Sequence, residues 1–216
     1  MVKTVILADD HILLRNALAS LINTFPDFRV MNMAGDGTEV IKEIENGHVP
    51  DIAILDLNMP KMDGYDTARW LYDTHPKIKT LILTMYDSEI ALIRLLQVGV
   101  RGFLKKDVHP EELKNALVSV AKDGFYYSHH TTGKLGTLFQ KNGDYSSSVE
   151  KAMLSDAEIN FLRLASTELT YKEIACKMNV TPRIIDNFRD LLFDKLDIKS
   201  RVGLAIYAVK HGVVTF

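Results

Sequence analysis

Ile52-Ala53-Ile54-Leu55-Asp56-Leu57-Asn58-Met59-Pro60-Lys61-Met62-Asp63-Gly64 opens as an unbroken apolar run and turns polar at Asp56. A short run without alternation suits a strand buried on both faces, as in a parallel sheet covered by helices. Similar runs stand at Val5–Ala8, Val30–Ala34, Thr80–Thr84 and Gly102–Leu104. Between them the period becomes helical, near 12–24, 37–46, 64–74, 88–98 and 110–122. Pro110 followed by Glu111 and Glu112 marks a helix start, because proline has no N–H to lose there and acids meet the positive helix end. Strand and helix alternating five times predict an α/β doubly wound, five-stranded parallel sheet over residues 1–125.

In such a sheet ligands collect at the carboxyl ends of the strands. Strand one ends in Asp9-Asp10, strand three in Asp56 with Asn58 beyond it, strand four in Thr84, and strand five runs into Lys105-Lys106. Each residue alone has a plain alternative. Asp9 or Asp10 could cap a helix beginning near His11, Asp56 could be a loop acid, and Thr84 an ordinary strand terminus. Together the matched strand ends point to one pocket. Three carboxylates there repel one another unless a cation joins them. Mg²⁺, a hard ion bound through carboxylates and phosphate oxygens, suits them. Lys106 can neutralise a phosphoryl oxygen, Thr84 can donate to another, and Asp56 is left as the nucleophile.

Ile54–Gly64 resembles the phosphorylation loop of response-regulator receiver domains, and Asp9-Asp10, Leu83-Thr84 and Gly102-Phe103-Leu104-Lys105-Lys106 match the remaining signatures of that family. The resemblance implies a flavodoxin-like fold in which Asp56 accepts phosphate from a histidine kinase. It implies Mg²⁺ held by Asp10, Asp56 and the backbone carbonyl of Asn58, with Asp9 acting through water. The family lysine falls on Lys106 rather than Lys105. It also implies a switch: Thr84 moves toward the phosphoryl group and Phe103 rotates inward, Phe103 otherwise being core. Asp107 follows the lysine where relatives often have proline. An aspartyl phosphatase is a poor alternative, since Asn58 stands where those enzymes place a second acid. The chain is thus expected to be no enzyme beyond receiver self-phosphorylation and autodephosphorylation.

Residues 126–150 read as a linker. Tyr126–Gly133 is polar and turn-rich, Lys134–Lys141 could form a short helix, and Asn142–Ser148 has flexible composition. His129-His130 has no cysteine nearby and reads as solvated chain. From about 151 the pattern is helical throughout, near 155–167, 171–178, 182–195 and 200–211, with Ser155 and Glu158 spaced as a capping box.

Residues 151–216 resemble the LuxR-type helix-turn-helix domain, on Leu154–Glu158, Lys172–Ala175, Met178–Thr181 and Lys195-Leu196. Receiver plus this module is the NarL/FixJ-type architecture. The resemblance implies phosphorylation-controlled binding to double-stranded DNA, homodimerisation and transcription regulation, with the helix Pro182–Leu196 entering the major groove. By period, Ile185, Phe188, Leu192 and Leu196 face the core. Arg183, Asp186, Asn187, Asp190 and Asp194 face outward, with Arg189 beside Asp186. Candidate DNA contacts are Lys172, Thr181, Arg183, Asp186, Asn187, Arg189, Asp190, Lys199 and Arg201. Here the sequence departs from the family, which commonly has lysine at Asp186 and histidine at Phe188. Residues 149–216 hold ten Lys and Arg against nine Asp and Glu, little positive excess for a module approaching a polyanion. The alternative is a phosphorylation-gated protein-interaction module.

The net charge of -2 gives no global basic signal, so any nucleic-acid contact must be local. One cysteine, Cys176, excludes an internal disulfide and a multi-cysteine metal site, and its apolar neighbours suggest a small core residue. No apolar run approaches the ~18 residues of a membrane span, and the N-terminus lacks a signal-peptide pattern. The expected place is the cytoplasm, with no membrane partner.

Overall fold

The computed structural model describes residues 2–85, 89–127, 154–210 and 213–214. His129-His130, the possible helix Lys134–Lys141 and most of the linker lie outside these residues. The chain divides into two compact units, each described by itself.

Residues 2–127 run β1 (Lys3–Ala8), α1 (Ile12–Asn23), β2 (Phe28–Ala34), α2 (Gly37–Glu45), β3 (Ile52–Asp56), α3 (Gly64–Thr74), β4 (Lys79–Thr84), α4 (Glu89–Gln97), β5 (Gly102–Lys105), α5 (Pro110–Asp123) and β6 (Tyr126–Tyr127). The strand order is β2-β1-β3-β4-β5-β6, and every pairing is parallel. The five expected strands are all present. β2 begins two residues earlier than the apolar run suggested, at Phe28, because its partner β1 pairs from Lys3. β6 is an addition: Tyr126 and Tyr127, read from sequence as turn-rich linker, register with Gly102 and Phe103. Two residues carry too little periodicity to announce a strand.

The apolar runs fill the core. Val5–Leu7, Ile52–Leu55 and Leu81–Leu83 are all buried, and the alternate residues Val5, Leu7, Ile52, Ile54, Leu81 and Leu83 form one cluster with Ala19 and Ile22 of α1 and Leu113, Ala116, Leu117 and Val120 of α5. Removing this much apolar surface from water is the main driving force for the fold. α5 starts at Pro110 and ends on Gly124 in the left-handed conformation, φ 90°, the pairing of proline at the start and glycine past the end that helix termini favour.

The loop after β3 is tied to the start of α2. Asp36, buried, is the N-cap of α2 and accepts from the backbone N–H of Glu39. Lys61 Nζ donates to its Oδ2 at 2.7 Å, and Gly37 N–H donates to the carbonyl of Met62 at 3.0 Å. Burial pushes the Asp36 carboxyl up, but the hydrogen bonds from Lys61, Thr38 and the Glu39 N–H outweigh it and hold it down to about 2. A carboxylate lowered on folding stabilises the native state above its unfolded value of 3.8, and that contribution is lost as pH falls through about 2. We predict that Asp36→Ala costs about 1 kcal/mol, as losing an N-cap does, and flattens this acid limb. Urea unfolding of both proteins across acidic pH checks it, and an unchanged limb would assign the acid sensitivity elsewhere.

The second unit is helical: α6 (Asp156–Ala165), α7 (Tyr171–Lys177), α8 (Pro182–Lys195) and α9 (Arg201–Lys210). The capping box at Ser155 and Glu158 forms in both directions, and Thr170 with Glu173 makes a second. Glu158 is buried and also receives Lys195 Nζ at 3.0 Å, so its charge is compensated. The α8 stripe faces the core as the period indicated. Ile185 and Leu192 are fully buried with Phe161, Leu162, Ile174 and Leu204, and Phe188 and Leu196 pack on that cluster. The reading of Cys176 as a core residue is corrected: it is exposed. α7 buries Ile174 and Ala175, and Cys176 stands roughly two helical steps of 100° past Ile174, toward the opposite face.

Candidate functional site

β1, β3, β4 and β5 bring their carboxyl ends to one place. The ladder sets Asp56 beside Leu83 and Thr84 beside Lys105, while Ala8 pairs with Leu55. Asp9, Asp56 and Thr84 are all buried. α1 begins just after the acid pair, at Ile12, and Asp9 Oδ1 accepts from the His11 backbone N–H at 2.9 Å. Arg15 Nη1 holds the Asp9 carbonyl at 2.6 Å, fixing the end of β1. Asp9 therefore does serve the start of α1, through one oxygen, while its other oxygen turns to the pocket.

Lys106 is the centre of the pocket. Its Nζ lies 2.8 Å from Asp9 Oδ2 and 2.8 Å from Asp56 Oδ2, and all three side chains are almost fully buried. Its backbone N–H donates to the Thr84 carbonyl at 2.9 Å, so the lysine is anchored to the end of β4 as well. Lys105 is half-buried and lies outside this bridge. Burial lifts the Asp56 carboxyl above the usual carboxylate range, against the pull of Lys106 and with the repulsion of Asp9 added. For Lys106 burial favours the neutral amine, yet the bonds to Asp56 and Asp9 prevail and raise it.

Gly64 explains how α3 can start against the acid. A Cβ there would lie 2.1 Å from the Asp56 carbonyl oxygen and 2.9 Å from Leu57 Cα, and its N–H donates to the Leu57 carbonyl at 3.0 Å. Only glycine lets the two backbones approach this closely. Asn58 is half-buried just past Asp56, and its backbone N–H bonds the Asp56 carboxyl. Phe103 is buried in β5.

The pocket suits a divalent cation. Ligand atoms of Asp9, Asp10, His11 and Asp56 all lie within 4.8 Å of one another, and three carboxylates against one lysine leave negative charge to balance. Sequence reasoning did not single out His11. Its position beside two acids was the available signal.

In the second unit the candidate contacts separate into two groups. Lys172, Thr181, Arg183, Asp186, Asn187, Asp190 and Lys199 are exposed, and Thr181, the N-cap of α8, makes no side-chain capping bond. Arg189 and Arg201 are engaged within the protein. Arg189 Nη1 meets Asp186 at 2.9 Å and Nη2 meets Asp190 at 2.8 Å. Arg201 donates to the carbonyls of Ala165, Thr167 and Leu169 at 2.9, 2.6 and 2.6 Å. It closes the loop between α6 and α7 and has few donors left over. The outward face of α8 is thus set by Arg183, Asn187 and three aspartates.

A receiver fold with this pocket, joined to a LuxR-type helical module, defines a response regulator, and the chain belongs to that family. The response regulator receiver domain matches residues 5–118, and the luxR family of bacterial regulatory proteins matches residues 152–208. The oxygen regulatory protein NreC of Staphylococcus carnosus (strain TM300) is 31% identical over 98% of this chain and 99% of its own. The crystal structure of the response regulator ChrA, of a heme-sensing two-component system, is 25% identical, covers 99% of each chain and superposes with a TM-score of 0.54. RcsB of Salmonella enterica serovar Typhimurium, solved on the rprA promoter with the phosphomimetic BeF3-, reaches a TM-score of 0.72 over 96% of this chain and 98% of its own. At 23% identity that likeness shows the fold alone. Among the described residues no helix is long and apolar enough to cross a membrane.

Proposed function

We propose that Asp56 is the phosphoacceptor of a two-component phosphorelay and that its phosphorylation controls DNA binding by the second unit. One observation carries this: Asp56 sits buried at the end of β3 with Lys106 Nζ 2.8 Å from its carboxylate. An Asp56 oxygen bonds to phosphorus as the P–N bond of a kinase phosphohistidine breaks. The electron pair leaves with the imidazole, which takes up a proton. Mg²⁺, when bound, supplies positive charge to the carboxylate and phosphoryl oxygens. Asp10, Asp56 and the Asn58 carbonyl would hold it, with Asp9 through water. Lys106, freed from Asp56 as that carboxylate loses its charge on becoming a mixed-anhydride acyl phosphate, follows the charge to a phosphoryl oxygen.

Phosphorylation adds roughly -1.5 to -2 charge and new acceptor oxygens. Thr84 donates to one of them, and Phe103 takes the space Thr84 gives up. The equilibrium between the two arrangements exists beforehand, and the phosphoryl group biases it. The same group leaves by hydrolysis, so the receiver acts as its own timer.

The output is dimerisation on two half-sites, residues 1–125 acting as receiver, 126–150 as linker and 151–216 as DNA-binding domain. Lys172, Thr181, Arg183 and Lys199 would contact phosphates, and Asp186, Asn187 and Asp190 would face base edges, where Asp accepts from cytosine N4 and Asn pairs with adenine. Arg189 and Arg201, engaged internally, support α8 and the α6–α7 loop. Two weak half-site contacts become effective once the copies are linked.

A second reading has its own observation. With Arg189 neutralised by Asp186 and Asp190, the α8 face is acidic enough to suit a basic protein partner. The two readings separate in a selection of duplexes from a random pool, run with Mg²⁺ and beryllofluoride and without. Enrichment of a paired motif only after activation is expected. No enrichment by activated protein would overturn the DNA reading in favour of a protein partner.

A further inference from the structure

The loop after β3 turns on a strained residue. Among the described residues three other than glycine have positive φ: Lys61 at 59°, Asn179 at 54° and Asp197 at 51°. Asparagine and aspartate visit the left-handed region because their short polar side chains bond locally. Lysine has no such compensation. Lys61 is also the middle of a three-residue turn, since the Met62 N–H donates to the Pro60 carbonyl at 2.6 Å. A turn of this kind with positive φ is the rare and strained form. Such strain persists where the surroundings over-determine it.

The surroundings here are the first residues of α2. Lys61 Nζ lies 2.7 Å from Asp36 Oδ2, and the Asp36 side chain is 3% exposed against 64% for Lys61. Capping of α2 does not account for this bond. The cap uses Asp36 Oδ1, which accepts from the Glu39 N–H at 3.1 Å and from the Thr38 hydroxyl. Gly37 takes the other flank of the turn through its bond to the Met62 carbonyl. A Cβ at Gly37 would stand 1.9 Å from Thr67 Oγ1 and 2.8 Å from Met62 Cγ, so the backbone of α2 presses directly on the loop. The turn held in this way begins two residues past Asn58.

We propose that Lys61 and Asp36 are positioning residues for the phosphorylation site, their ion pair holding the loop so that the Asn58 carbonyl is aimed before the cation arrives. This rests on the cation reading above. Asp36 is not among the acids whose ligand atoms converge on one point, so the pair acts through the loop rather than on the ion. A ligand fixed in advance loses less freedom on binding, and groups that hold a metal's ligands in place govern its affinity. The pair therefore sets how tightly the cation binds and leaves the chemical step alone.

The test is calorimetric titration of Mg²⁺ into the full chain. Lys61→Met removes the ammonium from an exposed side chain and should raise the Mg²⁺ dissociation constant about tenfold, with circular dichroism unchanged. Its labelling by acetyl phosphate should slow at low Mg²⁺ and recover at saturating Mg²⁺. Lys61→Gly removes the tie and the strain together, because glycine adopts positive φ freely, and its affinity should stay near that of the unsubstituted chain. Asp36→Asn still caps α2 and should match Lys61→Met, the two combined being no worse than either. An unchanged dissociation constant in Lys61→Met or Asp36→Asn, or an equal loss in Lys61→Gly, would overturn the proposal and leave the cation reading intact. Absence of Mg²⁺ binding to the unsubstituted chain would overturn both.

Discussion

Radiolabelled acetyl phosphate with Mg²⁺ should label the full chain and leave Asp56→Asn at background. The reason is positional: Asp56 ends a fully buried strand with its carboxylate on Lys106, which Asp9 shares while also holding the start of α1, and an amide oxygen at Asp56 is too poor a nucleophile to replace it. The same variant carries a second expectation of opposite sign. Burial raises the Asp56 carboxyl on folding. A raised acid binds protons more readily in the native state, so it opposes folding as pH rises past its unfolded value of 3.8 and the cost persists at neutral pH. Asp56→Asn should therefore melt a few degrees higher than the unsubstituted chain when no divalent cation is present. Persistent labelling of a well-folded Asp56→Asn would move the acceptor to another residue.

Reversing charge on α8 should have the second large effect. Asp186→Lys and Asp190→Lys place cations on an exposed face now held by acids and release Arg189 from both of its carboxylate partners. On DNA reading, each substitution should tighten binding about tenfold at low salt, near 1.4 kcal/mol. Each should also steepen the log–log salt dependence by about 1, the increment of one more phosphate contact, which Arg189 can make once released. Fluorescence anisotropy on a duplex recovered from the random pool measures both. If the double variant folds normally and binds no more tightly, this face does not meet DNA, and the basic-partner reading takes its place.

Much of the receiver was legible because its strands are buried on both faces. Ile52–Leu55 and Leu81–Leu83 have no polar alternation to confuse with a surface strand, and the first polar residue after each run marks where the sheet stops. That is why Asp9, Asp56, Thr84 and Lys106 could be brought together on paper. The bridge from Lys106 to two carboxylates could not, since it depends on the register of β4 and β5. The Asp36–Lys61 tie was hidden for the same reason. Its two residues are far apart in sequence, although Asp36 three residues before Glu39 does carry a capping signal. In the second unit the α8 stripe was readable from its period. The fate of Arg201 was not, because an arginine that closes a loop through carbonyls looks in sequence like one that awaits a phosphate.

The two-residue strand β6 bears on aggregation. A strand at the rim of a sheet exposes unpaired N–H and carbonyl groups that can template pairing with another chain. β5, with Phe103 at its centre, would be that rim if the sheet stopped at five strands. Tyr126 and Tyr127 cover it at Gly102 and Phe103, and among the described residues the strand they add is two residues long, a short ladder for recruiting a foreign strand. The part of the sheet that carries Phe103 is thus kept from the surface at which fibre-like association would begin.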